Sequence, residues 1–280
     1  MKNKKPTFSV LMSVYKNDNP EHLKLALESI YEKQTKKPDE IVIVFDGPIT
    51  KELKKVLDDF KKDKDKIVKY FPQKENKGLG EALRIGSEKC TCDYIFRMDS
   101  DDISVPERFK LQSDFVTEHP EIDVLGGDIA EFNTDPNESD KRIRSCPEKL
   151  EDIIKMCKRR NPMNHVTACI KRKALLNCGG YKPLKYLEDY YLWIRMIVAK
   201  KQLANIKETL VSVRVGNGFE NRRSSKEQIK GWKTLQDYML ENKIITKKES
   251  MLNMAYINTF VRMPNGLKKT LYKTILRKKK

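Results

Sequence analysis

Several signatures that would assign a chemistry at once are missing from this chain. After the first strand-like run it reads Ser13-Val14-Tyr15-Lys16-Asn17, without a glycine, so the GxGxxG turn of nicotinamide and flavin sites is absent. No GxxxxGK[ST] loop occurs, which removes the main support for kinase-like phosphoryl transfer. Phe45-Asp46-Gly47 superficially resembles a phosphatase aspartate loop, but Pro48 stands where the second aspartate would be. The six cysteines (Cys90, Cys92, Cys146, Cys157, Cys169, Cys178) show no CxxC spacing and no zinc-ligand pattern. Scattered thiols in a chain of this size read as cytosolic and reduced. There is no apolar run of bilayer length and no signal-peptide pattern, so any membrane contact is expected to be peripheral. No internal repeat is visible.

What is present is a strongly basic chain of 280 residues, with 57 basic against 40 acidic side chains and a net charge of +17. The length suits one large α/β domain or a domain with an appendage. The charge invites a polyanionic partner: nucleic acid, an anionic membrane surface or a phosphorylated substrate.

Strand-like and helix-like patterns alternate four times. Phe8 to Tyr15, Glu40 to Phe45, Ile67 to Phe71 and Tyr94 to Met98 are short apolar runs. Glu21 to Gln34, Thr50 to Lys61 and Leu79 to Lys89 carry helical spacing, and Pro106 begins another helical pattern. Asp18 or Asn19 can cap the first helix, with Pro20 in its first turn. This alternation predicts a parallel, doubly wound sheet with ligands at the carboxyl ends of its strands. Farther on, Ile122 to Gly126, Val166 to Ile170 and Leu210 to Val215 read as strands, Asn133 to Lys141 as a loop, Glu188 to Lys200 as a helix, and the chain from Ser225 as helical.

The expected strand exits all carry polar or glycine-rich chemistry. Asp99-Ser100-Asp101-Asp102 puts three carboxylates within four residues, which repel unless a cation sits among them. Oxygen ligands at that density suit Mg²⁺ or Mn²⁺, and a solvated acidic turn before a helix is the plainer alternative. Asp46 can accept from a nucleobase edge or form the turn before Gly47-Pro48. Asn76-Lys77-Gly78-Leu79-Gly80 opens a helix whose N–H groups favour an anion, or is an ordinary glycine-rich turn.

In sequence order, Phe8 to Asn17, Asp46-Gly47-Pro48, Asn76 to Arg84, and Arg97-Met98-Asp99-Ser100-Asp101-Asp102 resemble family 2 inverting glycosyltransferases with the GT-A fold. His165-Val166-Thr167, Gly179-Gly180-Tyr181, Leu187-Glu188-Asp189-Tyr190-Tyr191-Leu192-Trp193 and Arg214 to Gly218 continue the likeness. It runs from about Phe8 to Arg223 and is greatest to the bacterial capsule, exopolysaccharide and lipo-oligosaccharide branch, the amylovoran-type transferases.

The resemblance implies a Rossmann-like, mostly parallel sheet flanked by helices over residues 1–223. A nucleotide-binding half would cover about 1–102 and an acceptor-binding half about 103–223, followed by a helical basic extension over 224–280. It implies that Ser13 and Tyr15 line the nucleotide pocket and Asp46 holds the base, usually uracil. Asn76, Gly78, Arg84 and Ser100 would lie near the nucleotide–sugar junction, with Arg222 and Arg223 reaching the diphosphate from a loop. Asp99 and Asp101 would form the metal-binding DxD pair, with Asp102 supporting the loop.

Asp189 would be the general base that takes the acceptor hydroxyl's proton, with Glu188, His165 and Trp193 toward the acceptor. Core packing is the alternative for Trp193, a structural histidine for His165, a favourable helix N-terminus for the Glu188-Asp189 pair, and a solvated basic loop for the two arginines. Three departures from the common pattern stand out: Lys16 separates Tyr15 from Asn17, the second strand ends on one carboxylate, and Ser224-Ser225 follow the arginines. The first two features are shared with the capsule-type branch.

The implied partners are a nucleotide sugar, with UDP expected, and an oligosaccharide or polyprenyl-linked glycan acceptor. Leu267, Leu271 and Ile275 at helical spacing among Lys268, Lys269, Lys273 and Arg277 read as a basic amphipathic helix suited to an anionic membrane surface. A helix packed on the domain with a frayed lysine tail is the alternative. Two rivals come from other classes. A nucleic-acid-binding protein would suit the charge, but aromatics do not interleave the basic tail and no reading motif occurs, so no nucleic-acid partner is expected. A nucleotidyltransferase would share sheet and metal, but its glycine-rich, lysine-bearing first loop is missing.

Overall fold

The computed structural model describes residues 5–136, 141–215, 226–263 and 278–279. The first half alternates as the apolar periodicity predicts: β1 (Phe8–Val14), α1 (Pro20–Ile30), β2 (Glu40–Phe45), α2 (Lys51–Lys61), β3 (Val68–Pro72), α3 (Leu79–Lys89) and β4 (Tyr94–Met98). Their pairing is parallel, in the order β4-β1-β2-β3. All four strands therefore end at the same edge of the sheet. The order reverses at β1, the kind of position at which open α/β sheets bind their ligands.

Both faces of β1, β2 and β4 are buried, which explains their near-continuous apolar runs, while β3 at the edge is only partly covered. On β2, Val42 and Val44 join one core and Ile41, Ile43 and Phe45 the other, because successive side chains point to opposite faces. The first core lies against α3, the second against α1 and α2. Asn19 rather than Asp18 caps α1, its side chain accepting from the N–H groups of Glu21 (2.8 Å) and His22 (3.2 Å).

Beyond β4 the same sheet becomes mixed. The elements are β5 (Ile103–Ser104), α4 (Arg108–Glu118), β6 (Val124–Phe132), β7 (Arg142–Arg144), α5 (Leu150–Cys157), β8 (Cys169–Lys171), α6 (Arg172–Asn177), α7 (Glu188–Val198) and β9 (Leu203–Arg214). β8 joins β4 and β6 antiparallel, while β9 lies parallel to β6 and antiparallel to β5. β6 and β9 both extend beyond the short runs the sequence suggests.

The strand expected over Val166 to Ile170 is instead a 3-10 turn, His165–Thr167, followed by β8. The Thr167 hydroxyl donates back to the Asn164 carbonyl at 2.7 Å, and such a local bond competes with extended pairing. α7 starts where expected but stops at Val198, and Lys200 takes a positive φ of 56°.

α8 (Lys226–Glu241) and α9 (Lys247–Arg262) follow. α8 packs against α7: Leu235 and Met239, with Ile245 from the link to α9, join the first core, and Trp232 meets Tyr190 of α7 edge-on at 5.6 Å. The proposed amphipathic segment around Leu267, Leu271 and Ile275 lies outside the described residues. Lys278–Lys279 form a two-residue strand, β10, antiparallel to β7, so these two residues are extended where the sequence suggests a helix. Among the described residues, no helix is long and apolar enough to cross a membrane.

Candidate active site

The exits of β1, β2 and β4 and the start of α7 supply the candidate site. At the β2 exit, Gly47 adopts φ 86°, and a Cβ there would come within 2.7 Å of the Asn76 nitrogen. Only glycine allows that approach without strain. It brings Asp46 against the loop before α3, where its carboxylate accepts from the N–H groups of Lys77 (2.8 Å) and Gly78 (3.0 Å) and from Nδ2 of Asn76 (2.9 Å). Asp46 thus shapes the loop that holds Asn76 and Gly78. In this arrangement its carboxylate is engaged by that loop, where the sequence suggests a nucleobase contact.

At the β4 exit, carboxylate oxygens of Asp99, Asp101 and Asp102 all lie within 4.8 Å of one another. The three differ in surroundings. Asp99 is clasped by both terminal nitrogens of Arg97, a buried side chain of β4. Asp101 is exposed. Asp102 is buried at 3 % exposure and accepts from the Arg214 N–H at 2.9 Å, which ties the acidic loop to the end of β9. Burial, then the charges of Asp99 and Asp101, push the Asp102 carboxyl well above the usual range. A hard divalent cation fits this donor set, since it would relieve that repulsion with oxygen ligands.

A fourth carboxylate joins from β1. Asp18 accepts from the Tyr15 N–H at 3.0 Å and from the Ser100 hydroxyl at 2.8 Å, linking the first strand exit to the acidic loop. Burial pushes it up to about 6, with Asp101 and Asp99 adding to the rise and the two hydrogen bonds opposing it. The sequence offers Asp18 only as a possible helix cap; a carboxylate four residues past a parallel strand was the signal for more.

The α7 N-terminus reaches the site through Glu188, whose Cγ would lie 2.7 Å from a Cβ on Gly80 at the start of α3. Burial first, then the charge of Asp189, pushes the Glu188 carboxyl up to about 7. Asp189 is partly exposed and accepts from Nδ2 of Asn161 at 2.6 Å. Asn161 belongs to none of the motifs read from the sequence.

Other expected site residues take quieter places. Trp193 is fully buried in the first core, so core packing holds and its side chain presents no face to a sugar. His165 pairs with the Tyr181 hydroxyl at 2.9 Å, beneath the acidic loop. Burial, then the Arg97 charge, holds its imidazole well below the usual range, which favours the neutral form. Arg84 pairs with Glu81 and Glu88 of its own helix. Ser13 and Tyr15 are partly buried at the β1 exit, and Ser100 is buried. Arg222 and Arg223 lie outside the described residues.

Comparison with known proteins gives the family and the fold. Residues 9–180 match the family model for glycosyl transferase family 2. An uncharacterized glycosyltransferase of Haemophilus influenzae is 42% identical over 97% of this chain and 99% of its own length. The amylovoran biosynthesis glycosyltransferase AmsE of Erwinia amylovora is 37% identical over 80% of this chain and 82% of its own. The UDP-Gal:alpha-D-GlcNAc-diphosphoundecaprenol beta-1,3-galactosyltransferase of Escherichia coli is 37% identical over 78% of each chain. Among solved structures, S. aureus TarS 1-349 in complex with UDP-GlcNAc superposes with a TM-score of 0.68 at 18% identity, covering 96% of this chain and 76% of that one. The fold is therefore GT-A, and this chain belongs to glycosyl transferase family 2.

Proposed function

We propose that this enzyme moves a sugar from a UDP-linked donor to a hydroxyl of a lipid-linked glycan, with inversion at the anomeric carbon, in bacterial surface polysaccharide synthesis. The observation that carries the reading is the convergence of two carboxylate groups some ninety residues apart. Arg97 clasps Asp99 at the β4 exit, and Glu188, which adjoins Asp189, lies against Gly80 at the start of α3, just past the β3 exit. A donor diphosphate needs the first group and an attacking hydroxyl needs a base such as the second. The names of the relatives, which include a UDP-galactose enzyme with a diphosphoundecaprenol-linked substrate, support the donor and acceptor classes.

In this reading Asp189 takes the acceptor hydroxyl's proton as that oxygen bonds to the anomeric carbon. The bond from that carbon to UDP breaks on the opposite face, so one displacement inverts the centre and no covalent enzyme intermediate forms. Such a base is worth ~10²–10⁴-fold in rate. Asp101 and Asp99 would hold Mn²⁺ or Mg²⁺, which offsets the charge that gathers on the departing diphosphate. Ser13, Tyr15, Asn76, Gly78 and Ser100 line the donor side, with Asp46 acting through the Asn76–Gly78 loop. Arg84, Arg222 and Arg223 are assigned to the diphosphate side. Glu188 borders the acceptor, and the basic C-terminal segment would meet an anionic membrane surface. Residues 1–223 would form the catalytic domain. The family assignment favours transfer over the nucleotidyltransferase and nucleic-acid readings.

The test follows UDP release from UDP-galactose, UDP-glucose and their N-acetyl forms with Mn²⁺, for the native chain and for Asp101→Ala and Asp189→Ala. Release by the native chain, strongly reduced in both variants, is expected. No turnover with any nucleotide sugar, or full turnover in Asp189→Ala, would refute the assignment.

A further inference from the structure

Asn161 is fixed in one orientation. Its Oδ1 accepts from the Met163 N–H at 3.2 Å, and its main-chain oxygen accepts from Nη2 of Arg144 at 3.3 Å. With Oδ1 engaged, the amide turns its NH₂ group the other way and donates to Oδ2 of Asp189 at 2.6 Å. Flipping the amide would set a carbonyl oxygen against a carboxylate and an NH₂ against an N–H, so the hydrogen-bond pattern admits only this arrangement. The segment is also pinned to α7 one residue beyond Asp189, because the Tyr190 hydroxyl donates to the Cys157 carbonyl at 2.5 Å. Two side-chain bonds thus dock the end of α5 and the chain that follows it onto the first turn of α7.

A carboxylate base serves an attacking hydroxyl only if one oxygen is aimed at it, and free rotation of the carboxyl would waste that alignment. We propose that Asn161 is the positioning residue for Asp189: it occupies Oδ2 and leaves Oδ1 as the oxygen that receives the proton. This rests on the assignment of Asp189 as base. Misplacement of a reacting group by about 1 Å can cost on the order of 10²-fold in rate, so losing the donor should register in kcat.

Transfer to water provides the test, because it needs no acceptor: water's proton goes to Asp189, its oxygen to the anomeric carbon, and UDP departs. UDP release would be followed with the most active of UDP-galactose, UDP-glucose and their N-acetyl forms, for Asn161→Ala, Asn161→Asp, Asp189→Asn and the Asn161→Ala/Asp189→Asn pair. Donor KM and thermal midpoint would be recorded for each. Asn161→Asp keeps the shape and the acceptor for the Met163 N–H, but sets a carboxyl oxygen against Asp189.

A positioning role predicts unchanged donor KM, kcat down about 10-fold in Asn161→Ala and further in Asn161→Asp, and no additional loss when Asn161→Ala is added to Asp189→Asn. A merely structural role predicts kcat losses that track falling thermal midpoints, and an additional loss when Asn161→Ala is added to Asp189→Asn. That pattern, or native kcat in both single variants alongside an inactive Asp189→Asn, overturns the positioning role alone. Native turnover in Asp189→Asn removes the base assignment and this proposal with it.

Discussion

Replacing Glu188 with glutamine should stabilise the protein at pH 8 and change it little at pH 5. The Glu188 carboxyl ordinarily titrates at 4.5 and is pushed up to about 7, mainly by burial. The folded state therefore holds this proton more tightly than the unfolded chain. Stability from this group is full below about pH 4.5 and is lost as the pH rises to about 7. Integrating between those two values gives a cost of about 3 kcal/mol at pH 8 and about 1 kcal/mol at pH 5. Partial contact with water trims the first figure to about 2 kcal/mol. Glutamine keeps the side chain's volume beside Gly80 and carries no charge to desolvate. In a chain of this size about 2 kcal/mol moves the thermal midpoint by roughly 4 °C. The assay is thermal unfolding of both proteins from pH 5 to pH 8, followed by circular dichroism. A gap that widens with pH is expected. Equal midpoints at pH 8, or a gap of the same size at both ends, would refute the argument that an ionised Glu188 strains the folded state.

Three further outcomes follow from named contacts. Asp46→Ala removes the acceptor for the Lys77 and Gly78 N–H groups and for the Asn76 amide; donor KM should rise about tenfold or more while kcat changes less, as steady-state kinetics would report. Gly86→Ala would place a Cβ 2.3 Å from Cδ1 of Leu11 and 2.9 Å from Cγ2 of Val44; urea unfolding should show a loss of about 1–3 kcal/mol from overpacking α3 on the sheet. Deleting residues 268–280, which hold seven basic side chains and no acidic one, should weaken binding to anionic liposomes with donor turnover near native, and unchanged liposome binding would remove the membrane role.

The sequence determined the first half of the fold. Runs such as Ile41 to Phe45, apolar throughout, have one stable use in an alternating chain, a parallel strand covered on both faces. Parallel strands then put their exits, Asp46 and Asp99 among them, at one edge. Local order therefore carried the acidic cluster, the glycine-rich α3 start and the family. The mixed half was less legible. β7 and β8 are three residues each, too short to show a period, and the turn at His165–Thr167 depends on where the Thr167 hydroxyl bonds.

The tertiary structure alone decided how the carboxylates divide their surroundings. Asp99, Asp101 and Asp102 are neighbours in sequence, yet one is clasped by a buried arginine, one faces water and one is buried against β9. Asp18 joins Ser100 across 82 positions, and Asn161 meets Asp189 across 28. A hydrogen bond between distant residues leaves no periodic trace, because it depends on how two elements dock and not on the spacing within either. Residue type told which groups could do the chemistry; only packing told what surrounds each of them.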